Sequence, residues 1–249
     1  IVHMQSLNLN RRSLLKGAAI GGGALALQPW LPAWAQPVSA GLPTLTGEDI
    51  HLRVGRDSLE IDGKAARAVT INGTVPAPLL RLRQGQKLRL TVDNTLDEET
   101  SVHWHGLLVP FQMDGVPGVS FPGIKPRSSF TYEFGIEQAG TYWYHSHSGL
   151  QELMGMYGPI VIDPAGPETA PYDRDHVIML SDHSFVHPAK ILRNLKVEPG
   201  YYNRQRQTLA GLLAGKDQKL SERLEWGKMR MDPTDISDVT GDVLTYLVN

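Results

Sequence analysis

The sequence predicts a chain built mainly from β-structure: a β-sandwich over residues 45–165, then a second stretch in which helical patterns sit between two short strands. Two segments alternate strictly, apolar then polar, as half-buried strands do. Glycine- and proline-rich turns recur at short intervals between them, which suits a sandwich better than a βαβ fold. Beyond the connector "DPAGPETAPY" the period of the pattern changes.

The amino-terminal stretch "LNLNRRSLLKGAAIGGGALALQPWLPAWAQP" has a basic start, an apolar middle and the small-residue site Ala33-Trp34-Ala35, the three parts of an export signal. Cleavage is expected after Ala35, leaving 36–44 as a linker. Arg11 and Arg12, followed by Ser13-Leu14-Leu15-Lys16, resemble the twin-arginine signal, which implies passage of a folded protein through the Tat translocon to the periplasm. Glycines and prolines interrupt the apolar run, so it makes a poor spanning helix and no stable membrane anchor is expected. The chain opens at Ile1, and Met4 is the expected start of translation.

Within the sandwich, "KLRLTVDN" sets Leu88, Leu90 and Val92 on one face against Lys87, Arg89 and Thr91 on the other. "SFTYEFG" does the same with Phe130, Tyr132 and Phe134. Turns are expected at "INGTVPAP", "RQGQ", "DGVPG", "FPGIKP" and "EQAG". From about residue 173, a strand is expected in "DHVIMLSD", helices in "PAKILRNL" (Pro188 in the first turn), "NRQRQTLAGLLAG" and "KLSERLEWGKM", and a last strand in "DVLTYLVN". Two strands cannot complete a second sandwich, so residues 166–249 are expected to be the truncated start of another domain.

The 249 residues carry a formal net charge of -2 and a sequence pI near 6.5, with no Lys/Arg cluster in the body of the chain. That balance gives no electrostatic footprint for nucleic acid or an anionic membrane surface. Chemistry is concentrated instead in two HxH pairs, in "SVHWHGLLVP" and "YWYHSHSG". Residues i and i+2 of a strand point the same way, so His103 and His105 share a face with Trp104 opposite, and His145 and His147 share a face with Trp143. Side by side, two such strands present four imidazoles to one volume. Imidazole suits copper, zinc, iron and nickel alike, so the ligand type alone does not name the metal.

The pair "HWHGLLVPFQMDGVPG" and "GTYWYHSHSGLQELMGMYGPIVI" resembles the first two copper motifs of the multicopper oxidases. The leader, "INGTVPAPLLRLRQGQ" and the late "MRMDPTDISDV...TYLVN" are most similar to the periplasmic copper-resistance, CopA-type branch. The resemblance implies a cupredoxin-like (plastocyanin-like) Greek-key sandwich over 45–165 and, in 166–249, an incomplete second cupredoxin-like domain with a helical insertion. It implies that His103 binds a type-2 copper, and that His105, His145 and His147 bind a type-3 copper pair. Together these ions form the trinuclear cluster where O2 is reduced to water. By the same resemblance Asp114 is the carboxylate that helps deliver protons, although an Asp-Gly turn explains it equally well on spacing.

Trp104, Trp143, Tyr142 and Tyr144 are expected to pack around the imidazoles and orient them. Met154, Met156, Met229 and Met231 offer soft thioethers suited to cuprous ion, but methionine is more often core filler. His51, His176, His183 and His187 lack the HxH spacing and are expected to be ordinary.

The sequence also departs from that family. It contains no cysteine, so it has no thiolate for a type-1 copper, and it lacks the third and fourth HxH motifs, which the family places in a C-terminal cupredoxin domain. Two functions follow. One is the amino-terminal part of an oxidase of copper resistance and homeostasis, acting on cuprous ion or phenols, its half-formed copper site inactive alone. The other is a non-catalytic periplasmic copper-binding module.

Overall fold

The structure, a computed structural model, describes residues 42–167, 172–197, 201–202, 209–215, 219–229 and 243–249. The expected leader at 1–35, most of the linker at 36–44, and Met231 lie outside the described residues. Among the described residues no helix is long and apolar enough to cross a membrane.

Nine strands make two facing sheets. They are β1 (Thr44–Leu45), β2 (Asp49–Ile61), β3 (Lys64–Ile71), β4 (Leu79–Arg83), β5 (Lys87–Asn94), β6 (His103–His105), β7 (Ser129–Gly135), β8 (Gly140–His145) and β9 (Tyr157–Asp163). One sheet runs β3-β2-β5-β7 and the other β1-β4-β9-β8-β6. The chain changes sheet at nearly every connection and mixes parallel pairs (β1/β4, β4/β9, β2/β5) with antiparallel ones, the over-and-back connectivity of a Greek-key sandwich. β5 and β7 fall at the bounds that their alternation predicts.

The alternation is what fills the space between the sheets. Ile50, Leu52 and Val54 of β2 are buried, whereas His51 and Arg53 are exposed; Leu88, Leu90 and Val92 of β5 and Tyr132 and Phe134 of β7 face the same interior. From the opposite sheet come Leu80, Leu82, Trp104, Tyr144, Ile160 and Ile162. Trp104 stands edge-on to Tyr132, ring centroids 5.1 Å apart and planes at 90°, so one indole joins the two sheets at the centre of the core.

The second region differs from its expected outline. The strand predicted in 175–182 forms only as β10 (Leu180–His183), antiparallel to β11 (Thr245–Val248). Helices form at Pro188–Val197, Leu209–Leu213 and Leu220–Met229, the middle one within its predicted stretch, of which residues 203–208 lie outside the described residues. The first begins at Pro188 as expected, and His187 supplies its cap, its Nδ1 accepting from the Ala189 amide at 3.2 Å. Arg81 ties this region to the sandwich. Its guanidinium meets Asp163 at 2.7 Å and Asp175 at 2.5 Å, which holds the Asp163 carboxyl below the usual carboxylate range through hydrogen bonding.

Candidate metal centre

β6 is the edge strand of its sheet and pairs antiparallel with β8 in the register His103↔His145, Trp104↔Tyr144, His105↔Trp143. Directly opposed residues on one face of such a pair hold their side chains together. Trp104 and Tyr144 therefore turn into the core, and the imidazoles of His103, His105 and His145 turn to the other face. One nitrogen from each of these three rings lies within 4.8 Å of the others, the one such group among the described residues. His147 sits two residues past the end of β8 and still joins them, its ring 4.7 Å from His103 and 5.0 Å from His145. All four sequence-predicted histidines thus converge. His145 is buried, His103 is partly covered, and His105 and His147 are exposed, so the cluster opens on one side.

The neighbours decide which nitrogens are available. Nδ1 of His103 is 2.7 Å from the main-chain carbonyl of Asp114 and 3.4 Å from its carboxylate, both acceptors, so Nδ1 carries the proton and the Nε2 lone pair is free. The Asp114 side chain is thus next to the cluster, but its backbone makes the shorter contact. Gly115 allows this: its φ is +78°, and a Cβ there would overlap the Val102 carbonyl. Nδ1 of His145 is 2.9 Å from Oε2 of Glu152 and 3.2 Å from the Ser146 carbonyl, so here too the proton is on Nδ1. Nε2 of His145 lies 3.2 Å from Nδ1 of His105. Trp143 stacks on His145 at 4.0 Å and 13°, and on His105 at 5.0 Å and 27°, holding both rings in plane.

A buried polar hub fixes the turn that carries His147. Oε1 of Gln151 accepts from the hydroxyls of Thr100 (2.7 Å) and Ser146 (2.9 Å), and its Nε2 donates to the Glu99 carbonyl. The His147 amide donates to Oγ of Ser101, which also bonds Ser148. Sequence reasoning missed Glu152, Gln151 and Ser101. Only a proximity to the HxH pairs in "HSHSGLQE" and "TSVHWH" marked them, because the 3-10 turn Glu152–Met154 that folds Glu152 back onto His145 leaves no periodic trace.

Burial lowers the affinity of His145 and His147 for protons. In His145 the nearby Glu152 works against this, and in His147 the like-charged His103 adds to it. Neutral imidazoles are what a metal requires. Two imidazole nitrogens at about 2.0–2.1 Å from one ion stand about 2.9–3.3 Å apart at near-square to near-tetrahedral angles. The His105–His145 nitrogen pair already has that spacing, so the donor set fits an imidazole-preferring metal.

Of the other candidates, His187 lines a cavity with His147. Met156 is fully buried, its sulfur 3.3 Å from the Thr100 hydroxyl, and Met154 packs on the core beside a cavity that His147 also lines. His51 and His176 are exposed. His183 is buried on β10 against Phe185, its Nε2 without a partner among the described residues, and burial lowers its proton affinity.

Residues 53–167 match the family model described as Cu-oxidase_3, multicopper oxidase. The chain is 45% identical over 96% of its length to a copper resistance protein A homolog of Pseudomonas syringae pv. tomato, covering 42% of that protein. It is 43% identical over 98% of its length to copper resistance protein A of Escherichia coli, covering 41%. Among solved structures it is similar to the laccase from Botrytis aclada, at 37% identity and a TM-score of 0.54, over 68% of this chain and 29% of that one. The chain spans about two fifths of the length of the curated relatives it matches.

Proposed function

We infer that the chain belongs to the multicopper oxidase family, its sandwich being cupredoxin-like, and on that premise propose that His103, His105, His145 and His147 supply part of the ligand set of a trinuclear copper cluster in a periplasmic oxidase of copper resistance. His103 is assigned to the type-2 copper and the other three to the type-3 pair. Bound copper supplies the reduction of O2 to water, with cuprous ion or a phenol as electron donor. One observation carries this reading: four imidazoles converge on an open face, and in His103 and His145 hydrogen bonds at Nδ1 leave Nε2 unprotonated, that of His145 facing Nδ1 of His105 at 3.2 Å.

Within it the chain's own residues have distinct tasks. β6 and β8 set the spacing, Trp143 holds two rings, and Asp114 orients His103 through its carbonyl while its carboxylate, 3.4 Å away and 35% exposed, is placed to pass protons from solvent. His105 and His147 are exposed, which leaves the cluster open to remaining ligands, and a C-terminal cupredoxin domain would supply them. Residues 166–249 are then the start of a second cupredoxin-like domain, and the leader routes the folded protein through the Tat translocon. The absence of any cysteine in the sequence favours a second reading, a copper-binding module without turnover, because no thiolate is present to take electrons from a substrate.

Anaerobic copper reconstitution tests the ligand assignment. Replacing His103, His105, His145 or His147 by Ala should each lower copper per chain, and replacing His187 should not; unchanged occupancy in the four variants refutes it. The isolated chain is expected to bind copper without an intense blue band and without oxygen uptake. Oxygen-dependent turnover by the unaided chain would refute both readings and demand another copper site.

A further inference from the structure

We propose that Glu152 is a positioning residue: its carboxylate fixes the Nδ1–H tautomer of His145 and so aims the Nε2 lone pair of that ring into the cluster. The proposal rests on the assignment of His145 as a copper ligand and extends it to a residue outside both HxH pairs.

The geometry is specific. Oε2 of Glu152 is 2.9 Å from Nδ1 of His145, a charge-assisted distance, and the His145 side chain is 6% exposed whereas the Glu152 side chain is 43% exposed. Glu152 therefore reaches in from solvent to the one cluster ring with no solvent of its own to choose its tautomer. The competing acceptor, the Ser146 carbonyl, stands farther off at 3.2 Å. Local backbone structure delivers the carboxylate. Glu152 opens a 3-10 turn closed by Gly155 at φ +112°, where a Cβ would strike Val75, and the preceding residue Gln151 is locked by side-chain hydrogen bonds to Thr100, Ser146, Glu98 and Glu99. Trp143 stacked on the ring removes the remaining freedom of tilt. Without Glu152 the other tautomer gains weight, with the proton on Nε2, the nitrogen that points toward His105.

The test uses the full chain, free of copper and then titrated with it. Long-range 1H–15N NMR reads the His145 tautomer, and competition with a chromophoric chelator reads copper affinity. Wild type should show Nδ1–H. Glu152→Ala should raise the Nε2–H population and weaken copper binding about 10–100-fold. Glu152→Gln keeps an acceptor oxygen of nearly the same reach, and it should retain the tautomer and recover much of the affinity, which a role in turn stability alone would not produce. Should Glu152→Ala fail to fold, as circular dichroism would reveal, the wild-type tautomer and the Gln variant still decide. An Nε2–H tautomer in wild type, or wild-type affinity in a folded Glu152→Ala, overturns the proposal. Failure of the ligand assignment looks different: His145→Ala would then bind copper as wild type does, whatever the tautomer.

Discussion

The sandwich and the region after residue 172 use the same kinds of apolar residue and treat them differently. Of the seventeen large apolar side chains that are exposed among the described residues, thirteen lie at or beyond Tyr172; of the buried apolar core, only Tyr202 does. β10 and β11 pair as β5 and β7 do, yet Leu180, Tyr246 and Val248 are exposed, and among the described residues no second layer covers them. The helix Pro188–Val197 likewise exposes Leu192, Leu195 and Val197. A periodic pattern specifies a face, and burial comes only when another layer meets it. The candidate metal centre lies in the region where both layers exist, so the strands that carry its imidazoles have a packed core behind them.

Truncating the core should show the contrast most strongly. Trp104→Ala removes the ring that joins the sheets and should cost about 3–5 kcal/mol in urea unfolding. A loss under 1 kcal/mol would mean that the sandwich does not depend on its central indole. Limited proteolysis should then cut first beyond about residue 173, leaving 45–165 as the resistant product. Equal protection of both regions would show that the later one is buried in solution more than its surface implies.

Smaller effects probe the junction. Arg81→Ala breaks both ion pairs at partly exposed sites and should cost about 1 kcal/mol while raising cleavage between 164 and 179. An unchanged cleavage pattern would remove Arg81 as the tie between regions. Acid should weaken the copper-free fold gradually. Burial lowers the pKa of His145, His147 and His183 from 6.5, so below that value the unfolded chain takes up protons that the folded one resists. The stability these groups contribute is complete above pH 6.5 and is lost as pH falls through their folded values; a melting temperature flat from pH 7 to 5 would contradict this. Least of all, Tyr246→Ser on the exposed face should change stability by under about 0.5 kcal/mol, and a larger loss would reveal a partner for that surface.

The sandwich, its two clearest strands and the shared face of His103 and His105 were legible in the amino-acid sequence because each depends on short-range periodicity: a side chain two residues along a strand returns to the same face. His147 lies past the end of β8, and a turn hydrogen-bonded to Ser101 brings it to the others. The helix start at Pro188 was legible for a similar local reason. Tertiary structure alone decided that β6 pairs with β8 in the register that sets His103 opposite His145, that the Asp114 carbonyl rather than its carboxylate makes the shorter bond to His103, and that a 3-10 turn returns Glu152 to His145. These contacts join residues through turns and across strands, where hydrogen-bond register and the space a glycine leaves fix the outcome. No repeat along the chain records them.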